Sequence, residues 1–239
     1  NYIAQDLGQA SLTSVGSDSM TQLVDAWVTE YRNFQPNLEL QVVSRGSAMA
    51  PSALLEGSAN LGPMARPMKQ SEVEQFKNTL GFEPTQIRSA LAAVAVYVSE
   101  ANPVNEITLE QLDGIFSKSF YRTDKGLISK WGQFSADHPQ ADKPIIAFGS
   151  IPHSYAHAYF RQRVLLQGDY ADEVNSVVDL NSMQTIFQKN PNAIAYGLYK
   201  GEVPSGMKVL AVKPASDGIA VKPSIEAVLD ESYPLGRVL

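Results

Sequence analysis

Cysteine is absent from the 239-residue chain, which closes off disulfides, zinc–thiolate centres and thiol nucleophiles. The absence is compatible with either side of a membrane. Histidine is scarce, at three residues. No apolar run approaches the ~18–20 residues that span a bilayer; the longest, residues 90–98, is about half that and reads as a buried strand. An excess of basic residues is also missing. The net charge of −6 and pI near 5.1 speak against a nucleic-acid binder, which normally carries a basic face. A small anion stays open, because a buried site can use neutral N–H and O–H donors. No signal-peptide pattern opens the chain, as expected of a mature protein whose leader has been removed. No internal repeat or low-complexity linker is present.

What is there is an ordinary globular composition, 44% hydrophobic and 18% charged. The length suits one large domain or two lobes of about 100–150 residues each. Residues 12–15 read as a strand, and Gly16-Ser17-Asp18-Ser19 as a turn into a helix. In that helix Met20, Leu23, Val24, Trp27, Val28, Tyr31 and Phe34 form one apolar stripe, which places Trp27, Tyr31 and Phe34 in the core. Leu38, Leu40 and Val42 alternate with polar residues, the pattern of a half-buried strand.

Residues 44–69 follow directly. Gly46-Ser47-Ala48 is a small-residue turn before a short helix that holds Pro51 and stops at Gly57, and the segment ends near a lone Arg66. A hydroxyl turn at a helix start gathers unpaired N–H groups and the positive end of the helix dipole, and an arginine can grip an oxyanion by two parallel bonds. The same turn also serves as a plain helix cap.

Further on, Ser71 and Glu74 suggest a capping box for a helix closed by Gly81, and Thr108 with Gln111 suggests a second. Residues 87–99 read as a strand buried on both faces. Residues 117–142 lack sustained periodicity and read as a long surface connection. A strand over 144–149 leads into a third hydroxyl turn and a helix containing His153-Ser154-Tyr155-Ala156-His157. A helix over 181–190, strands over 193–199 and 207–212, and a short helix over 224–230 complete the pattern. Alternating strands and helices predict an α/β chain, with ligands collecting at the carboxyl ends of strands, where all three hydroxyl turns fall.

Five segments stand in a telling order: Gly16-Ser17-Asp18-Ser19, Gly46-Ser47, Ala59 through Arg66, Asn192-Ala193-Ile194-Ala195-Tyr196 and Tyr233-Pro234-Leu235-Gly236-Arg237. In that order they resemble the phosphate-binding subunit of phosphate ABC transporters, the PstS family. The resemblance runs over nearly the whole chain. It implies a two-lobe periplasmic-binding-protein-like fold of the class II type, each lobe a mixed sheet flanked by helices. Lobe I would take residues 1–88 and 203–239, lobe II residues 89–202, with the ligand cleft between them. The implied function is an extracytoplasmic solute-binding protein for a small oxyanion, phosphate first, delivered to an ABC transporter permease. The implied ligand set is Ser17, Asp18, Ser19, Ser47, Arg66 and Ser154, in a monomer with no catalytic residues, no cofactor and no metal.

The match is incomplete. Ala48 and Ala65 stand where the family favours hydroxyl or acidic groups, and Ser150 and Ser154-Tyr155-Ala156 replace an arginine and a Ser-Gly-Thr turn. Tyr155 is expected to push bulk toward the ligand. Each unmet hydrogen bond to a desolvated anion costs about 1–3 kcal/mol. The alternative is therefore a binding-fold domain of altered specificity, serving as a sensory or protein-interaction module. Asp18 could accept a proton from a partly protonated oxyanion, or simply cap the following helix. His153 and His157 are spaced for one helix face and could hold a metal with a third ligand such as His138 or a carboxylate, or serve by themselves as anion donors; without a full ligand set the two are ordinary, partly exposed histidines near a helix start. Ser154 beside them lacks the elbow and triad of a serine hydrolase.

Overall fold

The first strand–turn–helix expected from the sequence is present in the computed structural model, which describes residues 10–134, 136–152 and 154–239. Strand β1 (Ala10–Gly16) passes through a 3-10 turn (Asp18–Met20) into α1 (Thr21–Arg32), and β2 (Leu38–Ser44) returns parallel to β1, pairing from Ala10 with Leu38 to Gly16 with Ser44. A parallel pair needs a long crossover, which α1 supplies. Ser14 also bridges to Leu61, bringing the segment after α2 (Met49–Leu55) alongside β1. Helix α3 (Gln70–Leu80) then stops at Gly81, whose φ of 82° is a left-handed cap that glycine adopts freely.

The core of this unit is narrower than the apolar stripe suggested. Met20, Val24 and Val28 are buried against Leu23, Leu40, Val42 and Leu239. Trp27 and Phe34 are 44% and 48% exposed, and Tyr31 is only partly covered. A two-stranded sheet is too narrow to cover an arc of seven apolar residues, so only the central i, i+4, i+8 row is buried. The α3 cap also differs from expectation. Lys69, not Ser71, is the N-cap residue, and the Glu72 carboxylate accepts from the Lys69 N–H at 2.7 Å.

The second unit contains β3 (Leu91–Ser99), β4 (Glu106–Thr108), α4 (Leu109–Phe116), β5 (Ile146–Ser150), α5 (Tyr155–Arg163), β6 (Asn175–Val177), α6 (Leu180–Lys189), β7 (Ala193–Leu198), β8 (Met207–Val209), β9 (Ala211–Lys213), α7 (Ile225–Leu229) and β10 (Gly236–Val238). Its main sheet runs in the order β10-β3-β7-β5-β6, with β8 also on β3. It is mixed: β3 is antiparallel to β7 and β8, while β5 is parallel to β6 and β7. Central β3 is buried on both faces, as its uncharged sequence required. Val94, Val96 and Val98 enter one core with Phe116, Phe160 and Tyr196, and Ala95 and Tyr97 enter another with Met183 and Phe187. Helix α4 carries the expected capping box, Thr108 Oγ1 accepting from Gln111 N at 3.0 Å and Gln111 Oε1 from Thr108 N at 2.9 Å.

Two expectations change. The chain divides into residues 1–90 with 238–239 and residues 91–237, the boundary falling before the last residue of β10, so residues 203–237 join the second unit instead of returning to the first. Strand pairing explains this: β8 lies on β3 and β9 on β4, and the buried Tyr233 hydroxyl donates to the Val94 carbonyl at 2.8 Å. Residues 117–142 are not a mere surface connection either. Trp131 is fully buried, and its Nε1–H donates to the Asn192 carbonyl at 2.9 Å. Arg122 ties the same segment to the Val164 carbonyl at 2.6 Å.

Candidate functional site

Three loops of the first unit are laced together by backbone and hydroxyl bonds. The Ser17 N–H donates to the Pro63 carbonyl at 2.8 Å, and the Arg45 N–H to the Gly16 carbonyl at 2.9 Å. The Ala65 N–H donates to Ser47 Oγ at 3.0 Å. The hydroxyls of Thr21 and Ser44 join the start of α1 to the end of β2. Gly16 makes the approach possible, since a Cβ there would lie 2.0 Å from the Pro63 carbonyl oxygen. Ser17, Ser47 and the chain leading to Arg66 therefore share one assembly.

The hydroxyl protons can be accounted for one by one. Ser17 and Ser19 are 2.8 Å apart, Oγ to Oγ. One proton is used between them, and the other remains available to a ligand. Ser47 accepts from Ala65, and no acceptor for its own proton is found among the described residues. Ser17 is buried while Asp18 and Ser19 are exposed. Asp18 is the first residue of the 3-10 turn, and Ser17 holds the cap position.

Arg66 is engaged elsewhere. Its Nη1 and Nη2 donate to Oε2 and Oε1 of Glu72, both at 2.8 Å, and Nη1 also reaches the Pro67 carbonyl at 2.9 Å. These bonds use three of the five N–H donors of a guanidinium. The bidentate bond to Arg66 holds the Glu72 carboxyl well below the usual range, at about 2, and the Lys69 N–H adds to the effect. The same bond to Glu72 raises the Arg66 value. The sequence pattern points to Ser71 and Glu74 for the cap and gives Glu72 no role, whereas the cap falls two residues earlier, on Lys69 and Glu72. The available signal was a carboxylate at the third position of α3, which reaches back past the helix start toward an arginine six residues earlier. A small cavity of about 210 Å³ lies beside it, lined by Ala48, Pro51, Ser52, Leu55, Glu72, Gln75 and Phe76.

Ser154 belongs to the second unit and caps α5. It accepts from the His157 N–H at 3.3 Å and donates its proton to the Ile151 carbonyl at 2.7 Å. Tyr155 does not project bulk outward: its ring stacks on Tyr159 at 5.6 Å, and its hydroxyl is buried with no partner among the described residues. Burial pushes that hydroxyl up to about 12. The His157 ring packs on Tyr170 at 4.5 Å. His138 is buried and stacked on Trp131, with Nδ1 accepting from Gln140 N at 3.0 Å and Nε2 3.3 Å from Asn102 Oδ1. Desolvation lowers its pKa, which favours a neutral structural imidazole. His153 lies outside the described residues.

Among the described residues no group of three or more His, Cys, Asp and Glu could hold a metal ion, and no helix is long and apolar enough to cross a membrane. A larger cavity of about 610 Å³ is in the second unit, lined by residues that include Ile107, Phe134, His138 and Lys213 and by none of the predicted ligand residues. Its Lys213–Glu106 pair at 2.6 Å and its Thr108–Gln111 box are internally satisfied.

Comparison with known proteins gives one direction. A family model described as a PBP superfamily domain matches residues 4–239. The phosphate-binding protein PstS of Pseudomonas aeruginosa is 34% identical over 229 residues, covering 96% of this chain and 71% of that protein. Among solved structures, a possible phosphate binding protein from Planctomyces limnophilus superposes with a TM-score of 0.78 at 19% identity, covering 98% of this chain and 80% of that one. An ABC-type phosphate transport receptor from Vibrio cholerae gives 0.68 at 23%, covering 95% and 84%. At such identities the structural matches speak for the two-lobe fold alone.

Proposed function

The chain belongs to the PBP superfamily and, within it, to the family of the phosphate-binding protein PstS, and from that membership we propose that it is an extracytoplasmic solute-binding protein for a small oxyanion. Phosphate is the first candidate, an ABC transporter the recipient, and no catalytic step is involved. The observation that carries the reading is the lacing of three first-unit loops around hydroxyls that keep protons to give. Ser47 offers one, and the Ser17–Ser19 pair another. Arg66 keeps two N–H donors beyond its bonds to Glu72 and Pro67. Neutral donors fixed before binding cost little reorganisation, and each one satisfied avoids a desolvation penalty of about 1–3 kcal/mol. Asp18 at the same turn would favour an oxyanion that still carries a proton.

A second reading has its own support. The Ser154 proton is committed to Ile151 and the Arg66 fork to Glu72, as suits a binding fold with altered specificity that serves as a sensory or interaction module. Calorimetric titration with phosphate, sulfate and molybdate separates the two. Saturable phosphate binding supports the transport receptor; silence toward all three anions removes it and leaves the module.

A further inference from the structure

We propose that Glu72 sets the anion affinity of the first unit by cancelling the charge of Arg66, which makes it a specificity-determining residue and more than a helix cap. This rests on the oxyanion reading above. A cap at the start of α3 needs one carboxylate oxygen, and Oε2 supplies it to Lys69 N at 2.7 Å. Yet both oxygens also close on the guanidinium at 2.8 Å. The two side chains are only 24% and 20% exposed, so solvent screens the pair incompletely. Arg66 follows directly on Ala65, whose N–H is bonded to Ser47. The guanidinium is therefore attached to the laced loops while its charge is spent on α3. Two of its N–H donors remain beyond the bonds to Glu72 and Pro67, and the carboxylate offsets its positive charge. With Asp18 in the same loop assembly and Arg45 beside Gly46, the unit meets an anion near neutrality. It would bind by matching hydrogen bonds and not by bulk attraction, which discriminates between oxyanions by shape and protonation.

The test is phosphate titration of wild type and Glu72→Gln in 20 mM and 1 M NaCl. Glutamine keeps the shape and an acceptor for Lys69 but leaves Arg66 charged. The expected result is about three- to thirty-fold tighter phosphate binding by the variant at low salt, the range for removing one charge several ångströms away at intermediate screening. That gain should largely vanish at 1 M salt. Binding by wild type with unchanged or weaker binding by Glu72→Gln, or a gain indifferent to salt, overturns the inference while leaving the oxyanion reading intact. No phosphate binding by either protein overturns both. Should Glu72→Gln fail to fold, Arg66→Gln decides. It leaves an uncancelled carboxylate and should bind more weakly, with the loss relieved by salt; a salt-independent loss would mean that the pair only shapes the loop.

Discussion

Protonating Glu72 should weaken the first unit, and the size of the effect can be worked from its surroundings. The bidentate bond to Arg66, helped by the Lys69 N–H, lowers its pKa from 4.5 to about 2. At 1.36 kcal/mol per unit the ceiling is about 3 kcal/mol. Both side chains keep about a fifth to a quarter of their surface in water, and solvent screening reduces the expected contribution to about 1–2 kcal/mol. The folded-state value lies below the unfolded one, so this stability is fully present above about pH 4.5 and is lost as pH falls toward 2. Urea unfolding of wild type and Glu72→Gln at pH 7 and pH 3, followed by circular dichroism and hydrogen exchange at the α3 amides, measures it. Wild type should lead by about 1–2 kcal/mol at pH 7, and the lead should fall below half of that at pH 3. An equal gap at both pH values would refute the electrostatic account and assign Glu72's role to packing.

Three other outcomes follow from particular contacts. Gly16→Ala forces a Cβ against the Pro63 carbonyl; it should cost about 1–3 kcal/mol in thermal unfolding and lower phosphate affinity, because the loops that hold Ser17 and Ser47 must separate. Asp113 is fully buried, with Oδ2 accepting from Arg122 N at 2.8 Å and Oδ1 unpartnered, and burial raises its pKa. Its contribution is therefore greatest below the unfolded value and is lost as pH rises through the folded one, so Asp113→Asn should gain on wild type between pH 3 and pH 7 in urea unfolding. Ser154→Ala removes the cap of α5 and should cost about 1 kcal/mol. With its proton already held by Ile151, phosphate affinity in calorimetry should change less than in Ser47→Ala.

The fold was legible wherever a period or a cap spans several residues. The uncharged run of β3 signalled burial on two faces, and the structure divides its side chains between two cores. Three-residue strands β4, β6 and β10 are too short to show alternation, so no sequence pattern announces them. Residues 117–142 hid their role for a related reason: the burial rests on single groups, Trp131 and the Arg122 guanidinium, and no stripe marks such anchors. The α1 aromatics show the opposite error. Periodicity records which residues share a face, while the width of the opposing sheet decides how many of them are covered. Trp27 follows the stripe of Val24 and Val28 and still lies outside the cover of two strands, and Phe34 falls in the turn beyond the last helical residue, Arg32.

Hydroxyl turns were legible as places, since a serine beside a glycine at a strand end marks a loop that can gather donors. Their chemistry was not, because a hydroxyl has one proton and the sequence does not say who holds it. Ser47 and Ser154 looked alike as residues. One accepts from Ala65 and meets no acceptor for its proton among the described residues, and the other gives its proton to Ile151. Arg66 differs in the same way from its reading as a lone cation, for Glu72 already meets its fork. The affinity of such a site is thus governed less by how many donor residues line it than by which of them are still unspent when the anion arrives. An eroded loop can keep its function if its remaining hydroxyls are held by acceptance, and a complete one can lose it if they are held by donation.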